Sequence, residues 1–334
     1  MKNTILLFLV LLVSWNIKSQ SNYNQTNLTN NDGLSNSSVI NIFQDSRGVM
    51  WFGTWDGLNC YNSREFRVFK PEINNPQSIS NNIIRSIIEE DTGNYLWIAT
   101  DRGVDRLNLN SFTFDHYFVE PEISDSPVEH SFLTAKSSAG KIFVHFRLKG
   151  LFFFDEFQRQ FVILKNSNNL DAKKMFFDVD DNLWILTNDN FLHKIIFKKG
   201  LLNSPHIENI ITFDHIHGIR NVFFDPNKDE IWMQKESGIL AIYNISKGIT
   251  TDYVVSLPHD EILRSMLFFE NHHIWGTNKG LYFHDLNLLK TNNIISNIQV
   301  LSLYKGTQQI IWVGTDMQGI WMLSPHSKNF LRNG

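Results

Sequence analysis

Asp45-Ser46-Arg47-Gly48-Val49-Met50-Trp51-Phe52-Gly53-Thr54-Trp55-Asp56-Gly57-Leu58 opens on an acidic turn and passes through a short apolar run centred on Trp51. It turns again through polar residues closed by Gly57 and enters a second apolar run. The same order returns at residues 91–104, with Leu96-Trp97-Ile98-Ala99-Thr100, and at residues 310–320, with Trp312-Val313-Gly314-Thr315. Looser copies contain Trp184, Trp232 and Trp275, and Phe143 stands where a degenerate copy puts its aromatic residue. Anchors at 51, 97, 143, 184, 232, 275 and 312 give seven units with a period of roughly 40–45 residues, the length of a four-stranded propeller blade.

Each unit has room for four short strands. In the first, the apolar runs are Val39 to Phe43, Val49 to Gly53, Leu58 to Tyr61 and Phe66 to Phe69. Runs of four to six residues rich in β-branched and aromatic side chains, separated by Asp-Gly or Asn-Ser turns, read as strands joined by hairpins. No stretch after residue 20 sustains a helical period, so the sequence predicts an all-β, seven-bladed β-propeller of four-stranded blades over residues 21–334. Residues 23–28 form an extended segment that can pair with the last blade and close the ring, which otherwise leaves two unpaired sheet edges. Asn329-Phe330-Leu331 can begin a fourth strand for the last blade.

The chain has 334 residues, 42% hydrophobic and 19% charged, which is ample for one large core. Aromatic residues reach 13%, with 27 Phe, and are expected to pack blade against blade. The net charge of −4, and the absence of any basic run interleaved with aromatics, argue against a nucleic-acid partner. Lys2, the apolar run from Ile5 to Val13 and Ser19 have the layout of a secretory signal peptide over residues 1–20, and export follows, to the periplasm or beyond. A membrane anchor is the weaker alternative because the apolar run is short for a span. The single cysteine, Cys60, excludes an internal disulfide.

Polar inserts at residues 71–82, 120–130, 165–171, 198–209 and 258–261 read as connections from a fourth strand to the next first strand. In a propeller these open on the same end of the ring as the turns between second and third strands. That end collects Trp55, Asp56, Asp101, Arg102, Arg147, Lys149, Asp189, Glu236, Lys279 and Asp316, the candidate ligand-binding residues. No catalytic residue, cofactor or metal is expected. His215 with His217, and the adjacent His272 and His273, lack a third ligand, and neighbouring residues of a strand point to opposite faces. The acidic turn Asp178-Val179-Asp180-Asp181-Asn182 sits where a hairpin needs it, which competes with a calcium reading.

The repeated aspartate, glycine, Leu-Trp-Ile-Gly-Thr and Gly-Leu order resembles the two-component regulator propeller repeat. Asp32-Gly33-Leu34-Ser35 through Trp51-Phe52-Gly53-Thr54 and Gly57-Leu58-Asn59 is similar to the start of the sensor region of hybrid two-component systems of Bacteroidetes. The resemblance runs from about residue 28 to 323 and implies an extracytoplasmic sensor that responds to glycans. In that family a second propeller, a β-sandwich, a membrane helix, a histidine kinase, a receiver and a DNA-binding domain follow, and this chain carries none of them. The resemblance therefore implies a sensing module with no enzyme activity of its own, binding an oligosaccharide and pairing with a second copy or with the missing C-terminal sensor and kinase portion. A carbohydrate-active enzyme on the same fold and a protein-binding adaptor are the alternatives.

Overall fold

The structure, a computed structural model, describes residues 23–325 apart from 119–131, 148, 168–169, 199–203, 214–215, 217 and 258–259. Residues 1–20, expected to be a signal peptide, the insert of residues 120–130, His215, His217 and residues 329–331 lie outside the described residues. Seven four-stranded antiparallel sheets follow one another around a ring. Six are built from four consecutive strands, so each blade runs from an innermost first strand to an outermost fourth. The seventh takes three strands from the end of the chain and its outermost strand, Tyr23–Leu28, from the beginning. That strand pairs with Ile320–Pro325 in the register Tyr23 opposite Pro325 through Leu28 opposite Ile320. Asn27 adds two side-chain bonds, its Nδ2 donating to the Gln318 carbonyl at 2.9 Å and the Ile320 carbonyl at 3.2 Å.

The repeated motif has a physical reason at each position. Asp45 is buried in the first hairpin, where its carboxylate accepts from the Arg47 amide at 3.0 Å, the Val49 amide at 2.9 Å and Trp51 Nε1 at 3.0 Å. Asp178 repeats this in the fourth blade, accepting from the Asp180 and Asn182 amides and from Trp184 Nε1 at 2.8 Å. Its carboxylate therefore serves the hairpin. In the second blade the hairpin is one residue longer, and Glu90, not Asp91, takes this place. Glu90 holds Arg106 with two bonds of 2.6 and 2.8 Å, and the guanidinium lies over the Tyr95 and Trp97 rings. The motif threonine closes the second turn: Thr54 Oγ1 donates to the Gly57 carbonyl at 2.9 Å, and Thr100, Thr187, Thr277 and Thr315 do the same in their blades.

The anchor aromatics point forward into the next blade. Trp51 packs on Ile84, Ile87 and Leu96; Trp97 on Phe132, Val144 and Phe154; Phe143 on Ala172, Met175 and Ile185. Trp184 packs on Val222 and Met233, Trp232 on Leu263 and Met266, and Trp312 on Val39 and Phe52. The sixth anchor is a correction. Ile274, not Trp275, is followed two residues later by the glycine of the motif and packs forward on Val300 and Val313. Trp275 is displaced by one residue, so it points to the other face and meets Trp232 in the seam behind. A one-residue slip along a strand exchanges its two faces. The adjacent histidines divide in the same way: His273 packs on Trp232 and Phe268, His272 on Phe269 and Phe283.

A second correction concerns residues 198–209. This insert joins the third strand of blade four, Leu192–Phe197, to its fourth, Ile207–Thr212, and so opens on the opposite end of the ring. Ile207–Thr212 pairs with Leu192–Phe197 as the blade's outer strand, and the Lys198 amide bonds the His206 carbonyl across the hairpin.

The residue before the motif threonine faces the start of the next inner strand. Where that strand comes close, only glycine fits: a Cβ on Gly314 would stand 2.6 Å from the Val39 carbonyl oxygen. Where there is more space, a side chain bridges it. His145 Nε2 lies 2.7 Å from the Leu170 carbonyl, and Gln234 bonds both the Glu261 carbonyl at 2.8 Å and the Leu263 amide at 2.9 Å. Gly314→Ala is therefore expected to cost about 1–3 kcal/mol in urea unfolding, the usual penalty for overpacking. An unchanged midpoint would show that the seam between the last and first blades gives way freely.

Candidate functional site

The turns between second and third strands, with the connections between blades, form one end of the ring. Every residue singled out on the sequence lies there, but most are engaged locally. Asp56 takes Lys70 Nζ at 2.6 Å. Asp101 holds Arg85 through both guanidinium edges, one bond being 2.9 Å. Arg147 faces Asp171 at 3.5 Å, Lys279 pairs with Asp260, and Lys149 lies 4.3 Å from the Phe146 ring centre. Asp316 accepts from Ser38 Oγ at 2.7 Å across the closing seam, and the Met317 amide donates to the same hydroxyl at 3.0 Å. Glu236 accepts from Asn190 Nδ2 at 2.7 Å. Asp189 is exposed. Trp55 keeps 45% of its surface exposed while its ring lies 5.1 Å from the Arg85 guanidinium carbon. Trp55, Arg85 and Asp101 thus form a short stack across blades one and two.

Arg102 lines a cavity of about 310 Å³ together with Glu72, Ser80 and His116, beneath the insert of residues 71–82. Sequence reasoning missed its other chemistry. Asp105 is fully buried and accepts from the Ser80 amide and hydroxyl at 2.9 and 2.8 Å and from His116 Nδ1 at 2.7 Å. Serine, aspartate and histidine meet, yet the carboxylate stands between the other two, so the imidazole does not touch the hydroxyl as a serine nucleophile's base would. Blade one shows what the arrangement is for. There Asn59 takes the place of Asp105, bonding the Ser35 amide at 2.9 Å and its hydroxyl at 2.8 Å without any histidine. The device fastens the loop entering a blade to that blade's third strand. Its sequence signal was the parallel between Leu34-Ser35-Asn36 and Ile79-Ser80-Asn81, whose asparagines cap the following turn identically.

Both ring nitrogens of His116 face acceptors, Nδ1 the Asp105 carboxylate and Nε2 the Pro76 carbonyl at 2.8 Å. Only the imidazolium can donate to both. The hydrogen bond to Asp105 raises its pKa above the ordinary 6.5 against the opposing effect of burial. A second cavity of about 280 Å³ at the other end of the ring is lined by Arg47, Cys60, Arg67 and Phe112. Burial pushes the Cys60 thiol up, away from thiolate reactivity. Among the described residues no three His, Cys, Asp or Glu side chains gather as a metal would need.

A family model described as two component regulator propeller matches residues 33–56, so the chain carries that repeat. Histidine kinase P4 of Formosa agariphila is 43% identical over 75 residues, which are 22% of this chain and 5% of that protein. The extracellular domain of the hybrid two component system BT3049 from B. thetaiotaomicron superposes with a TM-score of 0.72 at 22% identity, over 91% of this chain and 42% of that one. Virginiamycin B lyase from Staphylococcus aureus superposes with a TM-score of 0.64 at 15% identity, over 90% of this chain and 98% of that one. At these identities the structural likenesses speak for the fold. The chain spans less than half of the sensor domain it resembles. Among the described residues no helix is long and apolar enough to cross a membrane.

The raised pKa of His116 gives a signed expectation. Its pair with Asp105 adds stability that is fully present below the unfolded value of about 6.5 and is lost as pH rises through the folded pKa. The stability difference between wild type and His116→Gln, followed by urea unfolding from pH 5 to 9, should be largest at the acidic end and shrink upward. A difference that grows with pH would contradict the pairing.

Proposed function

We propose that this chain is the exported, ligand-sensing propeller of a sensor of the hybrid two-component kind, and that it binds an oligosaccharide on the end of the ring carrying Trp55. Phosphotransfer and output belong to domains outside the chain, reached through a second copy or a further sensor portion. The observation that carries this reading is the exposed Trp55 indole, pinned against Arg85 and Asp101 at the rim of a polar end. A rigid aromatic face beside fixed hydrogen-bonding groups suits a sugar ring, whose C–H face is apolar and whose edge is polar. The repeat matched at residues 33–56 and the extracellular location of the similar sensor domain support the assignment to sensing and to export.

Among the described residues the polar end favours binding over catalysis, because Asp56 and Asp101 are engaged with Lys70 and Arg85 and Asp316 with the Ser38 hydroxyl. Likeness to a lyase extends to the fold. An adaptor role has less support: the most exposed apolar side chains among the described residues, Phe157, Ile73, Val254, Met317 and Leu288, are spread over blades three, five, seven and six and the connection after blade one.

Thermal unfolding of the chain with a panel of neutral and acidic oligosaccharides tests the reading. A ligand at a hundred times its Kd adds about 2.7 kcal/mol and raises the midpoint by several degrees. The shift should appear with one glycan class and weaken in Trp55→Ala and Arg102→Ala. A well-folded chain that responds to none of the panel would overturn it.

A further inference from the structure

Six of the seven inner strands carry a bulge at the same place. After Val39, Ile84, Ala172, Ile219, Leu263 and Val300 the register with the second strand skips one residue. The skipped residues are Ile40, Arg85, Lys173, Arg220, Arg264 and Leu301. They stand beside the residues that pair with the motif threonine, on the ligand end of the ring. An innermost strand has no further strand on its axial side, and its first and fourth residues are buried between blades. The second residues therefore open on the mouth of the axial channel, while the third reach across to the next blade's inner strand, as Ser86 does to Thr134 and Asn221 to the Leu263 carbonyl. Four of the six bulges place a cation at the mouth.

These cations are unevenly matched. Arg85 is neutralised by its two bonds to Asp101. On blades four to six the balance is different. Lys173 Nζ is held by the neutral Asn190 Oδ1 at 2.5 Å and lies 3.4 Å from the Ile219 carbonyl. Arg220 reaches only the Glu236 backbone carbonyl at 3.4 Å. Arg264 is exposed, with no acceptor among the described residues. Lys174, next to the bulge, is the one charged residue at a position held elsewhere by Asn41, Ser86, Thr134, Asn221, Ser265 and Ser302. Its ammonium meets Asn221 Oδ1 at 3.3 Å and the Phe223 ring at 4.1 Å, which leaves N–H groups without an anionic acceptor. Burial pushes Lys174 down to about 7, the signature of a cation that lacks a counter-charge. The carboxylates that act on Lys173 are Glu236, which also bonds Asn190, and the exposed Asp189.

We propose that the channel mouth over blades four to six is an oxyanion subsite, in which Lys173, Arg220 and Arg264 take a carboxylate or sulfate group carried by the oligosaccharide and Lys174 adds positive charge from the seam beside them. The inference rests on the sensing role proposed above and narrows it to acidic sugars. The corresponding residues of blades one, three and seven, Ile40, Leu133 and Leu301, are uncharged. Charge-assisted bonds to two or more of these cations supply both affinity and discrimination against neutral sugars.

Isothermal titration of the whole chain tests this with oligogalacturonate, a neutral galactose oligomer of equal length and sodium sulfate, all at one ionic strength. The acidic oligomer should bind at least about tenfold more tightly than the neutral one, and Lys174→Met and Arg264→Gln should each weaken it by about tenfold without affecting the neutral one. Arg264 is exposed, so its variant keeps the fold even if Lys174→Met does not. Equal binding of the two oligomers, or variants that bind the acidic one as wild type does, would sink the subsite and leave glycan sensing standing. Sulfate bound and lost in the variants, with both oligomers silent, would keep the subsite and remove the glycan. Silence of all three would remove both.

Discussion

The structure depends on one steric demand: every blade must bury its forward face against the next blade's inner strand. A four-stranded sheet with two apolar faces cannot be stable alone, so each aromatic anchor is satisfied only by its neighbour. Around a closed ring this demand has no natural end, and the last blade must meet the first. Tyr23–Leu28 solves the problem by supplying blade seven's outer strand, which ties the two ends of the described chain together and leaves no broken sheet. Gly314 and Ser38 show how tight that final seam is, the first by the space it must leave empty and the second by bonding Asp316.

The same demand explains what was legible in the sequence. Trp51, Trp97, Trp184 and Trp312 repeat because the forward seam wants a large flat side chain, and Asp45 repeats as Asp178 because the tryptophan N–H needs a buried acceptor. Blade number, strand order and ring closure could be read from those residues. Where the seam is satisfied in another way the reading slipped. Trp275 looked like an anchor because only its one-letter spacing was visible, while the side that a strand residue faces depends on register. Residues 198–209 looked like an inter-blade insert because a polar stretch does not reveal which pair of strands it joins.

The end of the ring that carries these turns was legible as a place and not as a set of partners. Trp55, Asp56, Asp101, Arg102 and the other turn residues lie together, as the hairpin periodicity required. Their pairings to Lys70, Arg85 and Ser38 come from inner strands and loops remote in the sequence. The bulge cations were hidden for a related reason. Lys173 and Arg220 follow the first residues of their inner strands, and the register skip that sets their direction is not visible in the sequence. The account that results has a ring made rigid by its seams, with a polar rim locked into pairs and an axial mouth where positive charge is left over. Rigidity and unmatched charge at one end are what a receptor for a charged ligand requires.

The most direct test is hydrogen exchange along the chain with and without a bound acidic oligosaccharide. The account predicts slowed exchange confined to one end: the turn at Trp55, the starts of the inner strands at Arg85, Lys173, Arg220 and Arg264, and the turns at Glu236 and Lys279. Slowing centred instead on the opposite end, at the hairpins of Asp45 and Asp178 or at residues 62–65, would contradict it.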